Sequence, residues 1–278
     1  MKKKAVKKAA RKGGNLLTTM LACIAVLMML VLAALILLIP KEEEPVPTEA
    51  PTETTAVTEA STEPEETTEP EREMLPYMAE LYEQNPDIVG WIRIEGTKLD
   101  YPVMYTPDDE EKYLYADFEG NLDLSGLPFV DTDCSMDPES QALLIYGHNM
   151  KDGSAFRTLL QYEKQKFLQE NPKIYFSTLY EERTYEIMAM FYDQIYLKTA
   201  TNFKFYQFID PETEEEYQEG IDYFLDKSIL DTGVTAEYGD RLLTLVTCAY
   251  HTDMGRYVVV AREVTEDIDS VEVAESAE

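Results

Sequence analysis

Three residues of the chain have types and settings suited to acyl transfer through sulfur: Cys248, His148 and Arg256. Cys248 closes the apolar run Leu243-Thr-Leu-Val-Thr-Cys248, which puts its thiol at the mouth of a predicted β-strand. A strand end is a rigid platform for a nucleophile, although a buried structural cysteine occupies such places too. His148 follows a second run, in Ile145-Tyr-Gly-His-Asn-Met150, where Gly147 permits a sharp turn. Taken alone it reads as a hydrogen-bonded structural histidine. Arg256 heads the apolar run Tyr257–Ala261, eight residues after Cys248. If Cys248 ends one strand and Arg256 begins its antiparallel neighbour, the two lie side by side at one rim. Cysteine acyl transfer needs a thiolate, a proton donor for the leaving amine and a stabiliser for the oxyanion. These three residues supply those roles between them.

The elements that must position them are short. Eight strand candidates run over Gly90–Ile94, Leu99–Met104, Leu127–Asp131, Ala142–Tyr146, Lys173–Ser177, Thr184–Tyr192, Leu242–Cys248 and Arg256–Glu263. Turn residues between them predict a closed or sandwiched β domain. Helices interrupt it. Met74, Tyr77, Met78, Leu81 and Tyr82 fall at helical spacing, and Asn85-Pro86 ends that pattern. A second helix is predicted from a Ser154 cap to about Gln169, with Phe156, Leu159, Leu160 and Phe167 inward. A third spans about Thr213–Ile229, with Tyr217, Ile221, Phe224 and Leu225 on one stripe.

Ahead of this domain the composition changes twice. Residues 1–15 are basic, and residues 16–39 are 24 residues without a charge. A helix of that length exceeds the ~30 Å hydrocarbon core of a bilayer. A cleaved secretory signal would be shorter and end in a small-x-small site, whereas this run ends Leu37-Leu-Ile-Pro-Lys41. The basic flank predicts a single-pass membrane anchor with a cytoplasmic N-terminus and residues 41–278 outside the cell. Residues 40–73 are rich in Glu, Thr and Pro and have almost nothing to bury, which predicts a disordered stalk. The catalytic domain is expected over 74–264, followed by an acidic tail at 265–278.

Charge and residue counts narrow the chemistry. Beyond residue 41 the chain carries 54 acids against 16 bases. Such a surface repels phosphate backbones and excludes nucleic acid as a partner. Of three cysteines, Cys23 lies in the apolar run, and the remaining two are too few for a disulfide framework. Two histidines, His148 and His251, exclude a His-rich metal site.

The motifs together resemble the sortases. Thr244-Leu-Val-Thr-Cys248 is similar to the TLxTC signature of that family. The stretch from Cys248 to Arg256 and on through Tyr257-Val-Val-Val-Ala-Arg262 resembles its C-x7-R ending. Tyr146-Gly-His-Asn-Met-Lys-Asp-Gly-Ser-Ala-Phe156 resembles the catalytic histidine segment of class B sortases, as do Gly90-Trp-Ile-Arg-Ile and Leu99-Asp-Tyr-Pro-Val upstream. The helix at about 213–229, inserted before the cysteine strand, also resembles class B. The resemblance spans roughly Leu75–Glu263. It implies an eight-stranded β-barrel and cleavage of a C-terminal sorting signal of surface proteins through a Cys248 acyl-enzyme. Transfer to a peptidoglycan or lipid II amine follows, with Cys248 as nucleophile, His148 as general acid/base and Arg256 as stabiliser. Neither a metal nor an organic cofactor is implied. His251 stands where many relatives carry an acid and reads as a solvated loop residue. Asp253 is a candidate for orienting His148 or contacting substrate, and Cys134 has no matched role. By family geometry, the peptide pocket is expected around Leu99–Met104 and the insertion at about 206–240. A cysteine peptidase, which hydrolyses the acyl-enzyme, would use the same residues. A non-catalytic wall-binding module would not need the thiol.

Overall fold

The computed structural model describes residues 72–265. The predicted anchor at 16–39, all of the stalk but its last two residues, and nearly all of the acidic tail lie outside the described residues. Eight strands form a closed barrel: β1 (Ile88–Arg93), β2 (Asp100–Met104), β3 (Phe129–Val130), β4 (Ala142–Gly147), β5 (Lys173–Thr178), β6 (Glu182–Gln194), β7 (Leu242–Cys248) and β8 (Gly255–Glu263). Around the barrel they run β1-β2-β3-β4-β7-β8-β6-β5. Every predicted strand is present, with ends moved by a few residues.

β7 is flanked by parallel β4 and antiparallel β8. It is buried along its length up to Thr247, and only Cys248 emerges. A strand covered on both faces reads as a continuous apolar run rather than an alternating one, which accounts for Leu242-Leu-Thr-Leu-Val. The core it shares with β4, β6 and β8 includes Leu143, Ile145, Met190, Phe191, Leu245 and Val259.

Helices lie outside the barrel. α1 (Pro76–Gln84) ends where Asn85 turns extended and donates its side-chain amide to Tyr113 and the Phe118 carbonyl. Of its predicted stripe only Met78 is fully buried, while Tyr77 and Tyr82 are exposed. The single helix expected from Ser154 to Gln169 is instead two pieces. Ser154 caps nothing; its hydroxyl bonds to Asp152. The chain then turns at Ala155, where φ is 49°. A 3₁₀ helix follows over Phe156–Glu163, and Lys164, in extended backbone, separates it from α2 (Gln165–Glu170). Phe156, Leu159 and Tyr162 are all fully buried. Their three-residue spacing matches three residues per turn, so burial selects the tighter helix.

α3 (Glu214–Lys227) matches its expected position. Thr213 caps it by accepting from the Glu216 N–H at 3.2 Å, three acids fill the first turn and Lys227 closes the last. Each complements the helix dipole. Tyr217, Ile221 and Phe224 face the core, but Leu225 is exposed. At Gly220 a Cβ would lie 2.2 Å from the Phe208 ring, so no larger residue fits that close approach.

Candidate active site

Strand register brings the three chemistry-bearing residues to one barrel rim. Gly147 of β4 pairs with Thr247 of β7, so His148 and Cys248 each stand one residue beyond a matched pair. Cys248 in turn pairs with Arg256 of β8. Neighbouring strands are about 4.8 Å apart, which makes His148, Cys248 and Arg256 lateral neighbours. Cross-strand partners share a face, and all three residues line a single cavity of ≈ 450 Å³.

Local contacts fix the rim. The Thr247 hydroxyl donates to the Gly147 carbonyl at 2.7 Å and ties β7 to β4 at their last pair. A Cβ on Gly147 would sit 2.5 Å from Cγ of buried Phe156, so glycine alone lets the histidine turn pack this closely. The His148 ring packs at 5.6 Å from that of Tyr115. Its Nε2 lies 2.7 Å from the Leu114 carbonyl oxygen. A carbonyl only accepts, so Nε2 carries a proton and Nδ1 is the nitrogen left for exchange. Arg256 folds one arm back, donating from Nη1 to the Gly255 carbonyl at 3.0 Å and to that of Met254 at 3.3 Å. Among the described residues no carboxylate comes within ion-pair distance of it. Arg256 also borders the cavity.

The two other candidates in the β7–β8 loop stand apart. His251 is exposed and packs edge-on against Tyr192 at 4.8 Å, outside the cavity lining. Asp253 is exposed too and does not line the cavity. Cys134 is buried, and its sulfur accepts from the Leu144 N–H at 3.4 Å. Burial pushes that thiol up to about 12, beyond the negative field of Asp131 and Asp210, so it stays protonated and inert.

A sortase-domain family model matches residues 92–264, more than half of the chain. The chain belongs to the sortase family. Sortase B of Staphylococcus aureus is 32% identical over 189 residues, covering 67% of this chain and 74% of the relative. Sortase B of Listeria monocytogenes is 29% identical over 195 residues, covering 69% and 76%. The solved Staphylococcus aureus sortase B–substrate complex matches with a TM-score of 0.62 at 30% identity, covering 70% of this chain and 87% of that one. This sortase is therefore class B-like, and its class is that of cysteine transpeptidases.

The cavity beside Cys248 is lined by other segments than those expected to hold the peptide. No residue of Leu99–Met104 lines it, and of the 206–240 insertion only Tyr206 does. The β2 side chains Val103 and Met104 are buried in the core, and the Tyr101 hydroxyl accepts from the Ala155 N–H, supporting the histidine loop from behind. One wall comes from Glu110, Glu111 and Leu114, a second from Asp131, Thr132 and Asp133, and a third from Ile195 and Tyr206. The insertion acts on that third wall indirectly. Buried Asp193 accepts from Tyr196 at 2.9 Å and from Tyr223 of α3 at 2.5 Å, while Tyr206 and Tyr196 exchange bonds of 3.2 Å.

The first two walls concentrate carboxylates. Burial holds Asp131 above the usual carboxylate range despite an N–H donated by Asp133. Glu110 is raised as well, first by burial and then by repulsion from Asp131, Asp133 and Glu111. Such a raised group favours the fold in its protonated form. Its contribution is complete below the ordinary value of 3.8 and is lost as pH rises through the higher folded value. Asparagine keeps the Oδ1 acceptor and escapes this loss. Asp131→Asn is therefore expected to melt above the parent at neutral pH, with the gap closing as pH falls toward about 3.5. Thermal unfolding followed across that range checks it.

Proposed function

We propose that this sortase is a membrane-anchored extracellular transpeptidase that joins surface proteins to the cell wall. Cys248 attacks the scissile carbonyl of a C-terminal sorting signal and forms an S–C bond, and charge develops on the carbonyl oxygen. Arg256, on the adjacent strand, stabilises that oxyanion. Collapse breaks the C–N bond as His148 gives its proton to the leaving amine. A peptidoglycan amine then attacks the thioester, loses its proton to the imidazole and releases Cys248. The arrangement of His148, Cys248 and Arg256 on three consecutive strand ends, around one cavity, carries this reading. The Staphylococcus aureus relative was solved as a substrate complex, which supports a peptide in the corresponding cavity. The apolar 16–39 segment and the stalk supply the compartment, holding the domain outside the membrane and near the wall.

Mass spectrometry of the ectodomain with a library of sorting-signal peptides and a peptidoglycan-like amine tests this. A Cys248 thioester and a ligated product are expected. Free acid as the sole product, whatever the amine, would instead make it a peptidase.

A further inference from the structure

We propose that Asn149 is the positioning residue that fixes the nucleophile relative to the histidine, with Arg157 setting its carboxamide. The parallel β4–β7 ladder ends at Gly147 and Thr247. Cys248 lies one residue further on, where β4 no longer pairs with it. The Asn149 side chain fills that place: its Nδ2 donates to the Cys248 carbonyl at 2.7 Å. At the other end of the carboxamide, Arg157 donates from Nη1 to Oδ1 at 3.0 Å. A guanidinium only donates and a carbonyl only accepts, so both bonds demand the same amide orientation.

The loop that carries Asn149 is itself closed. The Phe156 N–H donates to the His148 carbonyl at 2.9 Å, and Asn149 and Ala155 form an isolated bridge. Two consecutive residues thus divide the work. His148 presents the ring, and Asn149 grips the backbone of the nucleophile beside that ring. Neither Asn149 nor Arg157 lines the cavity that holds Cys248, His148 and Arg256. A sub-ångström slip between thiol and imidazole is what their loss would allow, and misplacements of about 1 Å can cost about 10²-fold in rate.

The inference rests on Cys248 and His148 acting as proposed above, so the assay includes the parent and Cys248→Ala. Steady-state transpeptidation by the ectodomain, with kcat and KM resolved, is measured alongside melting temperature. Asn149→Ala is expected to lower kcat by about ten- to a hundredfold with KM nearly unchanged. Asn149→Asp keeps the volume and the Arg157 partner but sets a carboxylate against the Cys248 carbonyl. Its kcat, relative to the parent, is expected to recover as pH falls and the new carboxyl gains a proton to donate. Arg157→Met is expected to cost less, and to add nothing in the Asn149→Ala background. Parental kcat in both Asn149 variants across pH would overturn the inference. So would a kcat loss that tracks the lost folded fraction with no pH response in Asn149→Asp. If the parent turned over no peptide, or Cys248→Ala remained active, the underlying reading would fall instead.

Discussion

Cys248→Ala is expected to abolish peptide cleavage and ligation, by on the order of 10⁴-fold or more, while the protein still folds and melts within a few degrees of the parent. The loss is large because no second thiol can substitute. Cys134 is buried within the β3–β4 connection, with its titration pushed up to about 12 by burial. The stability cost is small because Cys248 is the one β7 residue that emerges from the core. Its backbone stays held by the β8 pairing to Arg256 and by Asn149. Alkylation provides a matching readout: a thiol reagent is expected to label Cys248 in the folded ectodomain and Cys134 only after unfolding. His148→Ala should fall by about 10²–10⁴-fold, the range of a lost general acid/base. His251→Ala should stay close to the parent, since that ring sits against Tyr192 and away from the cavity. Ligation by Cys248→Ala, or a collapse in His251→Ala as deep as in His148→Ala, would overturn the assignment.

What could be read from the sequence was what local pattern determines. Leu242–Cys248 is mostly apolar, without strict alternation, because β7 is covered on both sides, and that burial leaves a direct signal in the residue types. The Cys248 and Arg256 juxtaposition followed from two runs joined by a short loop, which antiparallel pairing turns into neighbours. The 3₁₀ stretch at Phe156–Glu163 was hidden because its apolar residues fit a looser α-helical stripe nearly as well. Only the depth of burial of Tyr162, and the break at Lys164, separate the two. Leu225 failed for a related reason: it lies one residue past Phe224, at the edge of the stripe rather than on it.

The cavity walls were the least legible part. Glu110 and Asp131 are ordinary acids in an acidic chain, and nothing local distinguishes them from a solvated surface. They meet because β3 pairs with both β2 and β4, a long-range arrangement that residue spacing does not encode. The Leu114 carbonyl that orients His148 is a backbone atom, so no residue type could announce it. Asn149 stood within the histidine motif, but its contact with Cys248 crosses 99 residues of sequence and needed the β4–β7 register.

Arg256 offers the second large effect, and its conservative variant separates two roles for the same charge. Arg256→Ala is expected to lower kcat by about 10²–10³-fold, the range for losing an oxyanion donor. KM should change far less, because an oxyanion exists only after Cys248 has attacked. A residue that simply bound the peptide would show the reverse, a raised KM with kcat kept. Arg256→Lys is expected to recover only part of the loss. The guanidinium uses Nη1 to brace itself on the Met254 and Gly255 carbonyls and still has donors over for the cavity. An ammonium on a flexible stem has no such fork and cannot brace and donate at fixed angles together. Among the described residues no carboxylate pairs directly with Arg256, so a lysine there would still supply charge, and its activity should lie between alanine and arginine. A lysine variant equal to the parent would mean that charge alone suffices. A variant series that moved KM and spared kcat would relocate Arg256 from the oxyanion to the bound peptide.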